Sequence, residues 1–331
     1  LRLFHVGQFS ARGSDIQKDP GLRRSCNISP VTNVTYNFHH PLCSFESSPE
    51  MSGGVLLIVL FGAFLHASWN AIVKGSGDKF FGAASVTGAA GLIALFILPF
   101  LPLPNPASWG YIVASTVTQV FYMSLVAAAY KSGDMSEAYP IMRGTPPLLV
   151  ALVSAPLVGE VMGWQSWLGI VLICSGVLAM ALDARRRNRG ASSRTALLAL
   201  ANAGFIASYT IIDGLGVRVS GAPISYTLWL FLMNAMPLAG WALYREPNRF
   251  IQYLRNHWRP AMIGGVGTLG SYGLALWAMT MAPIAVVAAL RETAILFGVL
   301  ISAVVLKEKV GLPRFIAAGL IVLGAISLRL S

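Results

Sequence analysis

The sequence predicts an all-α integral membrane protein, with ten transmembrane helices forming two five-helix repeats of inverted topology. Three observations carry that prediction: a composition too apolar for water, ten apolar runs of spanning length, and an internal repeat whose charges change sides. Of 331 residues, 55% are hydrophobic and 11% charged, where a soluble domain carries about 25% charged residues. So few charges cannot coat a water-facing surface. A soluble enzyme, a disordered chain and a nucleic-acid-binding domain are therefore excluded as first readings.

Residues 1–50 are of a different kind, polar throughout and without a long apolar run. At Met51 the character changes to MSGGVLLIVLFGAFLHASWNA. The expectation is a disordered extension or, preferred because Met51 directly precedes the first apolar run, upstream sequence joined by a misplaced start. No apolar central stretch marks a signal peptide. The triplets at Asn27 and Asn33 match the glycosylation pattern, which is common by chance. Cys26 and Cys43 lie here and Cys174 in an apolar run, with no metal or redox spacing. No cofactor is expected.

A helix needs about 20 apolar residues to cross a ~30 Å hydrocarbon core. Runs of that kind follow at 54–73, 81–102, 108–129, 137–157, 164–182, 195–215, 223–243, 260–280, 284–304 and 313–329. Most of the links contain Gly, Pro, Asp or Asn, which punctuate helices. Trp109, Tyr111, Trp164, Trp167, Trp241, Tyr244 and Trp258 sit near the predicted ends, where interfacial anchors belong.

The net charge of +11 acquires a meaning once it is placed along the chain. Nineteen Lys and Arg follow Met51, and fifteen of them lie in odd-numbered links. The positive-inside rule puts those links in the cytoplasm and both ends of the ten-helix unit outside. The basic excess is then a topology signal, and no nucleic-acid partner is expected.

The two halves are copies. SEAYPIMRGTPPLLVALVSAPLVGEVMGWQSWLGIVLICSGV, from Ser136, aligns without a gap on IAVVAALRETAILFGVLISAVVLKEKVGLPRFIAAGLIVLGA, from Ile284, at an offset of 148. Arg143 falls on Arg291, Thr145 on Thr293, Glu160 on Glu308 and Gly176 on Gly324. HASWNAI from His66 matches IASYTII from Ile206 at an offset of 140. Five spans per half is odd, so the second half enters from the opposite side. The charges agree: the 2–3 link has no Lys or Arg and its partner, the 7–8 link, has four Arg. The predicted organisation is 51–188 and 189–331, with a pseudo-two-fold axis in the membrane plane. Such inverted halves point to a secondary transporter with its site near the midplane.

At this point the chain resembles the EamA-type permeases of the drug/metabolite transporter superfamily. Each half carries a run similar to the family pattern: LVSAPLVGE with Gly169, Ile173 and Gly176 in the first, LISAVVLKE with Ile321 and Gly324 in the second. Lys307 and Ala317 stand where glycines are usual. The resemblance covers 51–331 and implies export or exchange of a small metabolite or drug, often coupled to protons, across the plasma or inner membrane. It implies both ends cytoplasmic, the reverse of the charge reading. The partners expected are a small-molecule substrate, the lipid bilayer and protons, with a homodimer compatible.

Ionisable residues within the membrane are functional candidates by default. Arg143 lies in span four, and Arg291 and Glu292 in span nine. Each arginine is roughly 10 Å deep, entered from opposite faces. The expectation is that both hold an anionic group, because guanidinium binds carboxylate or phosphate in a bidentate fork. Snorkelling to the interface and structural pairing with Glu292 are the alternatives. Pro146 and Pro147 remove the helix bonds to the Met142 and Arg143 carbonyls and predict a kink, which the second half lacks at Ala294 and Ile295. His66 and Asn70 share a face of span one, beside Ser68 and Trp69. His66 and Glu292, ionisable residues without an ionisable repeat partner, are the candidates for ion coupling. Trp69, Asn70, Gln119, Tyr122, Tyr272 and Trp277 are candidate wall. Glu160 and Glu308 read as helix-end structure. Gly82, Gly88, Gly91, Gly264, Gly265, Gly267, Gly270 and Gly273 read as close helix contacts. A membrane-embedded enzyme would need a catalytic cluster that no motif supplies, and a passive channel remains the nearer rival.

Overall fold

The computed structural model describes residues 52–75, 78–132, 135–187, 193–305 and 311–331. The expectations for residues 1–50, including Cys26, Cys43 and the triplets at Asn27 and Asn33, lie outside the described residues. So does the reading of Glu308.

Among the described residues there is no strand. Twelve α-helices follow one another: α1 (Gly53–Gly75), α2 (Lys79–Ile97), α3 (Trp109–Ser132), α4 (Met135–Gly144), α5 (Pro146–Val158), α6 (Trp164–Arg187), α7 (Ser193–Ser220), α8 (Pro223–Arg245), α9 (Pro247–Met279), α10 (Ile284–Arg291), α11 (Ala294–Val305) and α12 (Leu312–Arg329). Among the described residues, seven stretches are long and apolar enough to cross a membrane, two of them formed by α4 with α5 and α10 with α11.

Local chemistry sets the helix ends. Asp78 caps α2, accepting from the Phe80 and Phe81 amides at 3.0 Å each, which satisfies donors that have no partner inside a helix. Gly159, at φ +74°, ends α5 in the left-handed conformation that glycine adopts without a Cβ penalty. Pro223 and Pro247 stand in the first turns of α8 and α9, where a missing N–H costs nothing. α9 begins at 247 rather than near 260. Pro260 lies inside it, and the backbone leaves helical geometry three residues earlier, at His257 (φ −126°, ψ 22°). Proline removes one helix bond and crowds the preceding turn, so the chain bends there and continues.

The burial pattern is that of a protein in lipid. Leu57, Phe61, Phe96, Leu152, Leu197, Ile263 and Phe315 are all exposed, while Asp213, Glu292, Asn202, Thr210 and Ser115 are buried. Exposed apolar side chains on this scale would be an association surface in water. In hydrocarbon they face a solvent of their own kind.

Without a hydrophobic drive between them, membrane helices meet through close backbone approach. α6 crosses α12, α1 packs on α9, α3 on α7, and α2 on α8 and α9. At the first crossing, a Cβ on Gly169 would lie 2.8 Å from the Gly324 carbonyl oxygen, and one on Gly324 would lie 2.7 Å from that of Gly169. Where α2 meets α9, a Cβ on Gly264 would lie 2.6 Å from Val86 Cγ2. These glycines let the helices touch.

Candidate functional site

Two spans of the bundle are interrupted at the same position of the repeat. α4 stops at Gly144 and α5 starts at Pro146; α10 stops at Arg291 and α11 starts at Ala294. The first interruption rests on Pro146 and Pro147, both buried, whose fixed φ suits a helix start. The second has no proline. There the backbone tightens instead: Glu292 N–H donates to Ala289 O at 3.0 Å and Thr293 N–H to Leu290 O at 3.1 Å, three residues back rather than four. The asymmetry expected from the prolines is therefore corrected, since both halves break. Each break leaves an arginine in the last turn of the preceding helix, where the dipole of aligned peptides favours a cation.

The two arginines are differently placed. Arg143 Nη2 donates to His66 Nε2 at 2.8 Å. Guanidinium has no acceptor, so the His66 nitrogen presents its lone pair. Arg143 Nε lies 3.3 Å from Glu292 Oε2, an ion pair whose angles make no hydrogen bond. The side chains are 13% and 7% exposed, so the pair is largely withdrawn from solvent. Arg291, by contrast, makes no ion pair among the described residues. Its guanidinium lies over the Tyr272 ring, 4.8 Å from the centroid, and the residue keeps some accessible surface.

Tyr272 leads to a carboxylate the sequence reading missed. Its hydroxyl donates to Asp213 Oδ2 at 2.6 Å, and Tyr226 donates to Oδ1 at 3.2 Å. Asp213 lies on α7, which runs to Ser220, five residues beyond the predicted end of span six. That places Asp213 well inside a span, as Glu292 is.

The remaining candidates divide. Trp69 joins the cluster through an edge-on contact with the His66 ring, centroids 5.3 Å apart, and its indole N–H has no hydrogen-bond partner among the described residues. Tyr122 meets Tyr209 edge-on at 5.8 Å, and both lie within electrostatic reach of Arg143 and Arg291. Gln119 donates to Ser115 Oγ at 3.0 Å, and Ser115 faces Asp213. Asn70 spends its amide on the His66 carbonyl of its own helix, at 2.8 Å. Trp277 lies elsewhere, in an apolar groove of about 390 Å³ with Ile58, Leu228, Leu269 and Leu274. Tyr139, Tyr209, Tyr226 and Ser115 were not among the predicted wall. Tyr209 was visible as the repeat partner of Trp69.

A second polar group tethers one end of the bundle. Glu160 accepts from the Ile284 amide, at 3.0 and 3.1 Å to its two oxygens, and from Arg218 Nη2 at 2.7 Å. Arg218 also donates to the Met279 and Ala282 carbonyls, at 2.7 and 3.0 Å. A carboxylate on the first amide of α10 and a guanidinium on the last carbonyl of α9 and on that of Ala282 in the turn after it satisfy groups that helix ends leave open. This is the helix-end role expected of Glu160.

The model of the EamA-like transporter family matches the chain twice, over residues 53–182 and 193–330. An uncharacterised protein of Sinorhizobium fredii, y4nH, is 28% identical over 128 residues, which is 38% of this chain and 95% of that protein. That relative is thus about as long as one of the two matched segments. One solved crystal structure superposes with a TM-score of 0.65 at 20% identity, over 82% of this chain and 94% of the other. That likeness concerns the fold alone.

Proposed function

Because the chain belongs to the EamA-like transporter family, and so is a multi-pass membrane transporter, we propose that it moves a small organic anion by alternating access. The movement is reversible, as exchange or as net flux down the driving gradient, across the plasma or inner membrane. Arg291 is the observation that carries this reading: a guanidinium at a helix break in the interior, partly accessible, with no carboxylate paired to it among the described residues. It can offer a carboxylate or phosphate its planar fork of donors. Arg143 has the same repeat position, but His66 and Glu292 already hold it. In this reading it sets the local charge, and Trp69, Tyr122 and Tyr272 line the space beside Arg291. Gln119 and Asn70 support their neighbours, and Pro146 and Pro147 fix the break at which the halves rock.

Ten crossings in two inverted halves, 51–188 and 189–331, are part of the proposal. The packing supports them, because exchanging the halves turns the α1–α9 contact into the α7–α3 contact and returns α2–α8 and α6–α12 to themselves. Discontinuous spans at equivalent positions of two halves are where transporters of this architecture bind their cargo.

The test is counterflow in proteoliposomes holding the purified protein, with labelled glutamate, succinate and glycerol 3-phosphate as probes. The expected result is saturable exchange of at least one anion, lowered about tenfold or more in Arg291→Ala and Arg291→Lys, since a lysine lacks the fork. Wild-type exchange in Arg291→Ala would overturn the site. Flux that never saturates would make the protein a passive channel.

A further inference from the structure

The interior cluster has a second centre that anion binding leaves unused. Asp213 is fully buried, at 0% exposed, and both of its oxygens accept from phenols, Tyr272 at 2.6 Å and Tyr226 at 3.2 Å. Every element packed on this part of α7 can be read for charge. From α3 come Ser115 and, beside Tyr226, Tyr111. α8 gives Tyr226, α9 gives Tyr272 and α10 gives Arg291. α5 offers no ionisable side chain, and Arg143 and Tyr139 of α4 lie beyond Tyr209 of α7 itself. The hydroxyl partners are neutral. The cation that acts on Asp213 is Arg291, which lies over the ring of the same Tyr272 whose hydroxyl donates to the carboxylate.

A carboxylate inside a membrane protein with hydroxyl donors and no cation in contact is a costly arrangement to keep for packing alone. Its repeat partner at offset 140 is Val73, so the architecture does not require a carboxylate there. The carboxylates of the cluster also differ in freedom. Glu292 is paired with Arg143, whereas Asp213 has oxygens engaged only by groups whose O–H bonds rotate.

We propose that Asp213 carries a proton that travels with the anion held by Arg291, and that Tyr272 couples the two events. This rests on the transport reading above and adds its coupling ion. With Asp213 ionised, Tyr272 donates to it, and the carboxylate offsets part of the field of Arg291. A proton on Oδ2 brings a second donor to the same short contact, so the Tyr272 hydroxyl turns away. It also removes the negative charge that opposes an incoming anion. Proton and anion therefore favour each other's binding. Tyr272 is a positioning residue, its ring under the guanidinium and its hydroxyl on the carboxylate.

Two measurements test this. Infrared difference spectra of the lipid-reconstituted protein across an acid pH step are expected to show the carbonyl stretch of a protonated carboxylic acid, absent in Asp213→Asn, shifted in Asp213→Glu and retained in Glu292→Gln. A band that survives Asp213→Asn overturns the proposal. In proteoliposomes, an inward pH gradient is expected to accelerate wild-type uptake of whichever of glutamate, succinate and glycerol 3-phosphate exchanges. Asp213→Asn is expected to lose the acceleration while keeping counterflow at equal pH, and in Tyr272→Phe the ratio of uptake with the gradient to uptake without it is expected to fall to about one. Acceleration retained in Asp213→Asn, or obtained with a sodium gradient at constant pH, overturns it. If the wild type moves none of the three anions, the transport reading fails, and the infrared band still reports on Asp213.

Discussion

Arg143 and Arg291 occupy equivalent positions and differ because of the residue that follows each. Glu292 follows Arg291 and Gly144 follows Arg143. Adjacent residues on a helix do not face each other, so Glu292 turns from its own neighbour and meets the arginine of the other half at 3.3 Å. One acidic residue in one half thereby occupies one arginine and leaves the other open. Removing one member of a buried ion pair strands its partner, at about 3–5 kcal/mol. Arg143→Ala is accordingly expected to lower the thermal unfolding temperature sharply, with much of the loss recovered in Arg143→Met with Glu292→Met. Arg291→Ala is expected to unfold close to wild type while losing anion exchange. Equal destabilisation by the two alanine variants would show that both arginines are structural.

Among the elements, the contacts with least tolerance are those made without side chains. A methyl group on Gly324 would meet the Gly169 carbonyl at 2.7 Å, backbone that cannot rotate aside. Gly324→Ala is therefore expected to cost about 1–3 kcal/mol, the range for overpacking, measured as a lower unfolding temperature in detergent. Gly298→Ala, which meets nothing within 4 Å, is expected to change it little. The Glu160 tether makes a separate prediction. Glu160→Ala leaves the Ile284 amide and Arg218 without their carboxylate, and about 1–2 kcal/mol of capping energy goes with it. Glu160→Gln keeps an acceptor and is expected to lose less.

Over the whole molecule, the sequence was most informative where a signal needs many residues and least where it depends on a distant partner. Helices lie along every predicted apolar run, because length and hydrophobicity accumulate over about twenty positions. The predicted run holding Asp213 ends at 215, before Arg218. The helix continues to Ser220, since Arg218 is satisfied by Glu160 and by carbonyls some sixty residues away. No local pattern announces such partners. The break after Arg291 was hidden for a similar reason, as it has no proline and is held by tight turns. His66, Arg143 and Glu292 are each legible in the sequence as membrane-embedded ionisable residues, while their mutual contacts, across 77 positions between His66 and Arg143, belong to the fold.

Among the described residues the interior cluster holds two arginines, Arg143 and Arg291, and two carboxylates, Asp213 and Glu292, so its formal charge is zero before cargo binds. Loading one singly charged anion together with one proton keeps it at zero. In the proposed cycle both the loaded and the empty protein then reorient without carrying current, and membrane voltage, worth about 2.3 kcal/mol per charge per 100 mV, does no work on either. A potassium diffusion potential imposed with valinomycin is therefore expected to leave glutamate movement unchanged at fixed pH, while the proton gradient and the glutamate gradient both drive it. A rate that follows the voltage would show that the cycle carries an uncompensated charge.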